Sequence, residues 1–150
     1  MKPSPLRLDR HFVSHIHVDA SPGATHKGEL RVNVKPTCAQ RKKDDPLQWM
    51  VSLRVEFATT GKEPPAYSGN CEFVGLFTVS DKFPKDKVEQ LVRVNGASLL
   101  YSAAREMIAG ITARGPWPMI TLPSVSFVEP AAQSNTNPDS PAKAVTEART

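Results

Sequence analysis

Two cysteines, Cys38 and Cys71, are all that this chain of 150 residues contains, and they stand in different segments with no CxxC and no Cys/His finger spacing around them. That pattern excludes a disulfide framework and a zinc finger. Long apolar runs are missing as well: Met1 to Pro5 hold Lys2 and two prolines where a leader would be apolar, and no later stretch approaches transmembrane length. A cytoplasmic address without direct membrane insertion is expected. The phosphate-cradling GxxxxGK, the dinucleotide GxGxxG, the nucleophile-elbow GxSxG and the metalloprotease HExxH are all absent, which removes the chemistries those spacings serve. Neither an enzyme nor a cofactor is expected.

What is present suits one domain with a modest core: 39% of the residues are hydrophobic. Lys plus Arg number 19 against 15 Asp plus Glu, a formal net charge of +4. Acidic partners are open to such a chain, but the two signs are interspersed throughout, so the charge does not by itself imply nucleic acid.

The first half alternates with the period of a strand. From Leu6 to Ala20 the even positions give Leu6, Leu8, Phe12, Ile16 and Val18, and the odd ones are mostly charged or imidazole, with a bend expected near Arg10 or Ser14. Ser21 to Gly28 has loop chemistry and is long enough to cross a sheet. Glu29 to Pro36 forms a second strand with Leu30, Val32 and Val34 on one face, ended by Pro36, and Arg41 to Asp45 reads as a solvated turn. Trp49, Val51, Leu53, Val55 and Phe57 mark the third strand. Cys71 to Val79, apolar on nearly every position, marks a fourth strand covered on both faces. Four strands joined by turns imply an antiparallel sheet.

The period then lengthens to about 3.6. Lys85 to Val94 predicts a short helix, and Asn95 is placed to cap a second one. In that helix Leu100, Ala104, Met107, Ile108 and Ile111 recur at helical spacing, and Gly115-Pro116 stops it. Ser102, Ala109 and Ala113 lie on its opposite side, where small side chains let a helix of another subunit approach, although an exposed alanine-rich face would read the same way. Trp117 to Val128 is extended. From Glu129 onward the composition of Ala, Pro, Ser, Asn and Thr offers too little apolar surface to offset ordering, so a disordered polar tail over 129–150 is expected after a folded domain over 1–128.

Two surface chemistries compete for notice. His15-x-His17-x-Asp19 puts three metal-ligating types on one side of a strand. No further ligand cluster accompanies them, and an exposed strand face is the usual home of such residues, so no metal site is assigned. A nucleic-acid-binding sheet would need exposed aromatics among basic residues. The strand aromatics Phe12, Trp49 and Phe57 share the apolar parity, which core packing explains, so no nucleic acid is expected, though the sequence pI of about 9.2 keeps a basic nucleic-acid-binding module as an alternative.

Ala104-Arg105-Glu106, then Arg114-Gly115, Trp117-Pro118 and Leu122-Pro123-x-Val125-x-Phe127 together resemble the SecB family. Cys71-Glu72 before Gly75-x-Phe77, and the opening strand ending in His15 to Asp19, are weaker echoes in the same order. The likeness spans roughly residues 6 to 128. It implies a SecB-like α+β fold, a four-stranded antiparallel sheet with a long helix packed on one face, in a homo-oligomer that is a dimer of dimers. It also implies an ATP-independent chaperone that holds unfolded precursor polypeptides for export and passes them to the motor SecA, or else a SecB-like chaperone serving an antitoxin. Carried over by position, Leu30, Val32, Val34, Trp117 and Phe127 become groove residues, for each of which ordinary core is the competing reading. Asp19 and Glu72 become the SecA contact, and Ser102, Ala109 and Ala113 the oligomer face. The chain departs from the family in its basic charge, and the second, carboxyl-terminal helix is missing: Pro130 and the polar tail follow Phe127 almost at once.

Overall fold

The computed structural model describes residues 1–24, 28–61 and 64–128. Strands β1 (Leu6–Ala20), β2 (Leu30–Lys42), β3 (Asp45–Thr59) and β4 (Tyr67–Val79) form one antiparallel sheet in the order β1-β4-β3-β2. Strands β2, β3 and β4 follow one another as a meander. Strand β1 instead pairs with β4 at the far edge, so the connection after Ala20 carries the chain across the whole sheet, as its loop chemistry predicted.

Three expectations for the strands change. Pro36 does not end β2, which continues to Lys42. Proline lacks the amide that a ladder needs, but β2 is an edge strand, where that loss is tolerated. The expected turn over Arg41 to Asp45 shrinks to Lys43 and Asp44, because Lys42 already pairs with Asp45. The third change is on β1. Its register slips between Leu8 and Arg10 and again between Val13 and His15, close to both expected bends. Each bulge inserts a residue and exchanges the faces of those that follow. Phe12 therefore opposes Val74 on the outer face, 40% exposed, while Val13 opposes Phe73 on the inner one. The sequence parity that sent Phe12 to the core is broken by the bulge.

The inner face is the core. Trp49, Val51, Leu53, Val55 and Phe57 of β3 meet Tyr67, Cys71, Phe73, Phe77 and Val79 of β4, all buried. Across them runs an unbroken helical course: a 3-10 turn at Lys85–Lys87, α1 (Val88–Leu91), a π-helical turn at Val92–Gly96 and α2 (Ala97–Thr112). Asn95 lies inside the π turn and caps nothing; Leu91, Gly96 and Ala97 all keep right-handed helical dihedrals. Gly96 marks a close approach to the sheet, since a Cβ there would sit 3.0 Å from Val51 Cγ2. Val88, Val92, Leu100, Ala104 and Ile108 face the sheet. Met107 and Ile111, which fit the same period, stay 36% and 39% exposed on the helix flank beside Leu99.

No second layer covers the outer sheet face among the described residues. On β4 that face is shielded by neighbouring side chains rather than by an element: Val74 is buried and lies opposite Phe12. After α2 the chain turns back along the helix as the predicted extended segment. It forms no ladder. Side chains of the helix hold its backbone instead: Arg105 Nε donates to Leu122 O at 3.0 Å, Tyr101 Oη to Pro123 O at 2.5 Å, and the Ile120 amide to Thr112 Oγ1 at 3.0 Å. These bonds seat Ile120 and Leu122 in the core. The expected tail over 129–150 lies outside the described residues.

Candidate functional site

Alternation on β2 turns Leu30, Val32 and Val34 toward the helix side, opposite Thr59, Phe57 and Val55. On this edge strand these three side chains are half-buried: they touch the core and still meet solvent. At the Leu30 end the returning chain closes a hollow of about 240 Å³, lined by Leu30, Thr59, Ala66, Tyr67 and the stretch from Trp117 to Thr121. The structure thus brings together Leu30 and Trp117, 87 residues apart in sequence, with Val32 and Val34 continuing the apolar row along β2.

Trp117 is held at several atoms. Its indole Nε1 donates to Ser21 O at 3.0 Å, at the start of the crossover, and its amide donates to Tyr67 Oη at 3.2 Å. Phe127 lies elsewhere, at the other end of the helical course. Its ring meets Tyr101 edge-on at 6.0 Å and borders a separate hollow of about 330 Å³ with Asp86, Glu89, Gln90, Arg93 and Val94. Sequence reasoning missed Tyr67 and Met119. Tyr67 stood in the unassigned stretch before Cys71, and the one available signal was that β4 could begin directly after Pro64-Pro65.

The remaining candidates occupy two other surfaces. His15, His17, Asp19 and Glu72 share the outer sheet face, where His17 Nε2 and Asp19 Oδ2 are 2.8 Å apart and Glu72 stands between His15 and Arg54 on neighbouring strands. Among the described residues no group of three His, Cys, Asp or Glu side chains converges. At the far end of that face the Thr78 hydroxyl and the Arg7 guanidinium hold the Asp9 carboxyl below its usual range. Ser102 and Ala113 are exposed and Ala109 half-buried, all on the outward side of the helix; Gly110 next to them has open space where a Cβ would be. Burial pushes the Cys71 thiol up to about 11, which keeps it protonated and unreactive.

A four-stranded antiparallel sheet with one long helical course on one face, and a half-open apolar row at its edge, defines a small α+β fold. The family described as preprotein translocase subunit SecB matches residues 10–136. The protein-export protein SecB of Psychrobacter cryohalolentis is 30% identical over 134 residues, 86% of this chain and 86% of the relative. That of Psychrobacter arcticus is 29% identical over 139 residues, 89% of this chain and 90% of the relative. Among solved structures, a SecB-like chaperone of Mycobacterium tuberculosis, in complex with a ChAD peptide from the HigA1 antitoxin, superposes with a TM-score of 0.62 at 15% identity. The superposition covers 81% of this chain and 91% of that one. This chain belongs to the SecB family.

Proposed function

We propose that this protein is an ATP-independent chaperone that binds unfolded precursor polypeptides and holds them for export. The observation that carries the reading is the apolar row Leu30, Val32 and Val34, left half-open beside Trp117 where the crossover, β2 and the returning segment meet. Fully burying one such side chain contributes about 1.5 to 3 kcal/mol. Micromolar affinity needs about 8 kcal/mol after ordering costs. Leu30, Val32 and Val34 are already half-buried and gain only part of that on binding, so one subunit's row falls short, and several rows linked in an oligomer raise the effective concentration of the later contacts. A dimer of dimers joined through the outward helix side fits this need. Small Ser102, Ala109, Gly110 and Ala113 there adjoin exposed Leu99, Met107 and Ile111, a surface that gains by being covered.

Delivery to SecA through Asp19 and Glu72 has less support, because His17 bonds the first carboxylate and Arg54 stands opposite the second. A second reading, service to an antitoxin, is favoured by the antitoxin peptide held by the SecB-like chaperone of similar fold. No helix among the described residues is long and apolar enough to cross a membrane, and a cytoplasmic site of action fits the proposal.

The test is suppression of aggregation of a slow-folding precursor without ATP. Val32→Ser with Val34→Ser is expected to weaken client capture about tenfold or more while the oligomeric mass stays unchanged. Full capture by this double variant would remove β2 from the site. Salt-sensitive binding of RNA or DNA with no effect on the precursor would favour the basic nucleic-acid-binding module instead.

A further inference from the structure

Tyr67 lines the Leu30 hollow, and its phenol sits where β4, the end of α2 and the returning segment meet. Tyr67 opens β4 with its side chain 2% exposed. Its oxygen lies 3.0 Å from the carbonyl of Thr112, at the end of α2, and 3.0 Å from the carbonyl of Trp117, and it accepts the Trp117 amide at 3.2 Å. A single hydroxyl thus spans the helix terminus and both backbone groups of the tryptophan. The tryptophan passes the constraint on: its indole bonds Ser21 O, and the Ser21 amide bonds Ala66 O at 3.0 Å, one residue before Tyr67. The loop of contacts closes on itself.

Gly115 reports how tightly the junction is built. A Cβ at that position would lie 2.1 Å from Tyr67 Oη, and its backbone is not in the left-handed region where glycine is favoured. The glycine is therefore there for close approach, not for turn conformation. The returning segment has no strand or helix ladder of its own, so these side-chain bonds are what set the position of Trp117.

We infer that Tyr67 is the positioning residue of the client site: its hydroxyl presets Trp117 against Leu30, so that an arriving apolar segment meets a wall that is already ordered. Preorganisation of this kind raises affinity by removing an ordering cost from the binding step. The inference rests on the chaperone reading, and the two fail differently.

Tyr67→Phe keeps the buried ring and removes only the hydroxyl. With the full-length oligomer and an unfolded precursor as probe, this variant is expected to raise the client dissociation constant roughly five- to tenfold, the size of effect that losing one or two hydrogen bonds gives. The second readout is the 19F spectrum of protein labelled with 5-fluorotryptophan, in which the Trp117 resonance is the one absent from Trp117→Phe. Tyr67→Phe should shift or broaden that resonance and leave the Trp49 resonance in place, which a general loss of stability would not do. Gly115→Ala attacks the same contact from the other side and should reproduce both effects; it serves as the test if Tyr67→Phe does not fold. Client affinity within about twofold of wild type and an unmoved Trp117 resonance, while Trp117→Ala weakens capture, would overturn the role of Tyr67 and leave the groove standing. Unchanged capture by Trp117→Ala would remove Trp117 from the client site and the role of Tyr67 with it, whereas failure of the wild-type protein to capture the precursor would overturn the chaperone reading.

Discussion

Leu122→Ala asks whether the returning segment belongs to the fold or merely lies on it. Leu122 is 0% exposed although its neighbours 118–127 form no ladder, so its place in the core depends on side-chain packing and the bond from Arg105. Truncation removes the transfer free energy of the deleted carbons and leaves a cavity between helix and sheet, together about 2 to 5 kcal/mol. A segment held only by side chains can settle partly into the gap, which favours about 3 kcal/mol within that range. At a urea m-value of about 2 kcal/mol/M, the midpoint should fall by about 1.5 M. The assay is equilibrium unfolding in urea at one fixed protein concentration, because subunit association adds a concentration-dependent contribution. Met119→Ala is the internal control: Met119 is 55% exposed on the same segment, and its truncation should cost about 0.5 kcal/mol or less. A midpoint shift below about 0.4 M for Leu122→Ala, or equal shifts for the two variants, would refute the docking of this segment.

Acid dependence follows from Asp9, whose carboxyl is held below its ordinary range first by the Thr78 hydroxyl and then by Arg7. A carboxyl depressed on folding stabilises the native state above its unfolded pKa of about 4, and that contribution is lost as pH falls through the folded value. Thr78→Val should thus be less stable than wild type at pH 7, and the gap should narrow as pH falls below the unfolded pKa and through the folded one, read by urea midpoints along an acid series. A gap that stays constant with pH would dissociate Thr78 from Asp9. Thiol labelling gives another check: Cys71, 1% exposed with its thiol pushed up to about 11, should resist a disulfide reagent at pH 8 until the protein unfolds, while half-buried Cys38 reacts in the native state. Rapid labelling of both thiols in the native protein would contradict the packing around Cys71.

Where sequence and structure agree, the controlling physics is local or repetitive. Strand β1 was legible to the residue, Leu6 to Ala20, because alternation over a long span leaves few other readings. The sheet, the helix after it and the extended segment beyond Pro116 were legible for the same reason. What escaped depends on neighbours that are distant in the chain. Pro36 stops a strand only if that strand needs its amide, and an edge strand does not. Asn95 reads as a cap until the packing of Gly96 against Val51 shows a helix running straight through it. The face of Phe12 turns on the bulge between Leu8 and Arg10, whose register only β4 reveals. Of the site, the apolar side of β2 could be read from alternation, and its meeting with Trp117 came from the family resemblance alone. Tyr67 could not be reached by either route, because its importance lies in one oxygen among three segments. Phe127, grouped with these residues by resemblance, stands at the opposite end of the helix.

The pairing of β1 with β4 has a consequence for how the protein itself is made. Leu6 finds its partner in Val79, so β1 leaves the ribosome and waits without its neighbour until β4 has been synthesised. The β2-β3-β4 meander pairs strands that are neighbours in sequence and can assemble first. For that interval the nascent subunit carries an unpaired, partly apolar strand, the same kind of exposed segment that, in the proposed function, finished copies of the protein shelter in others.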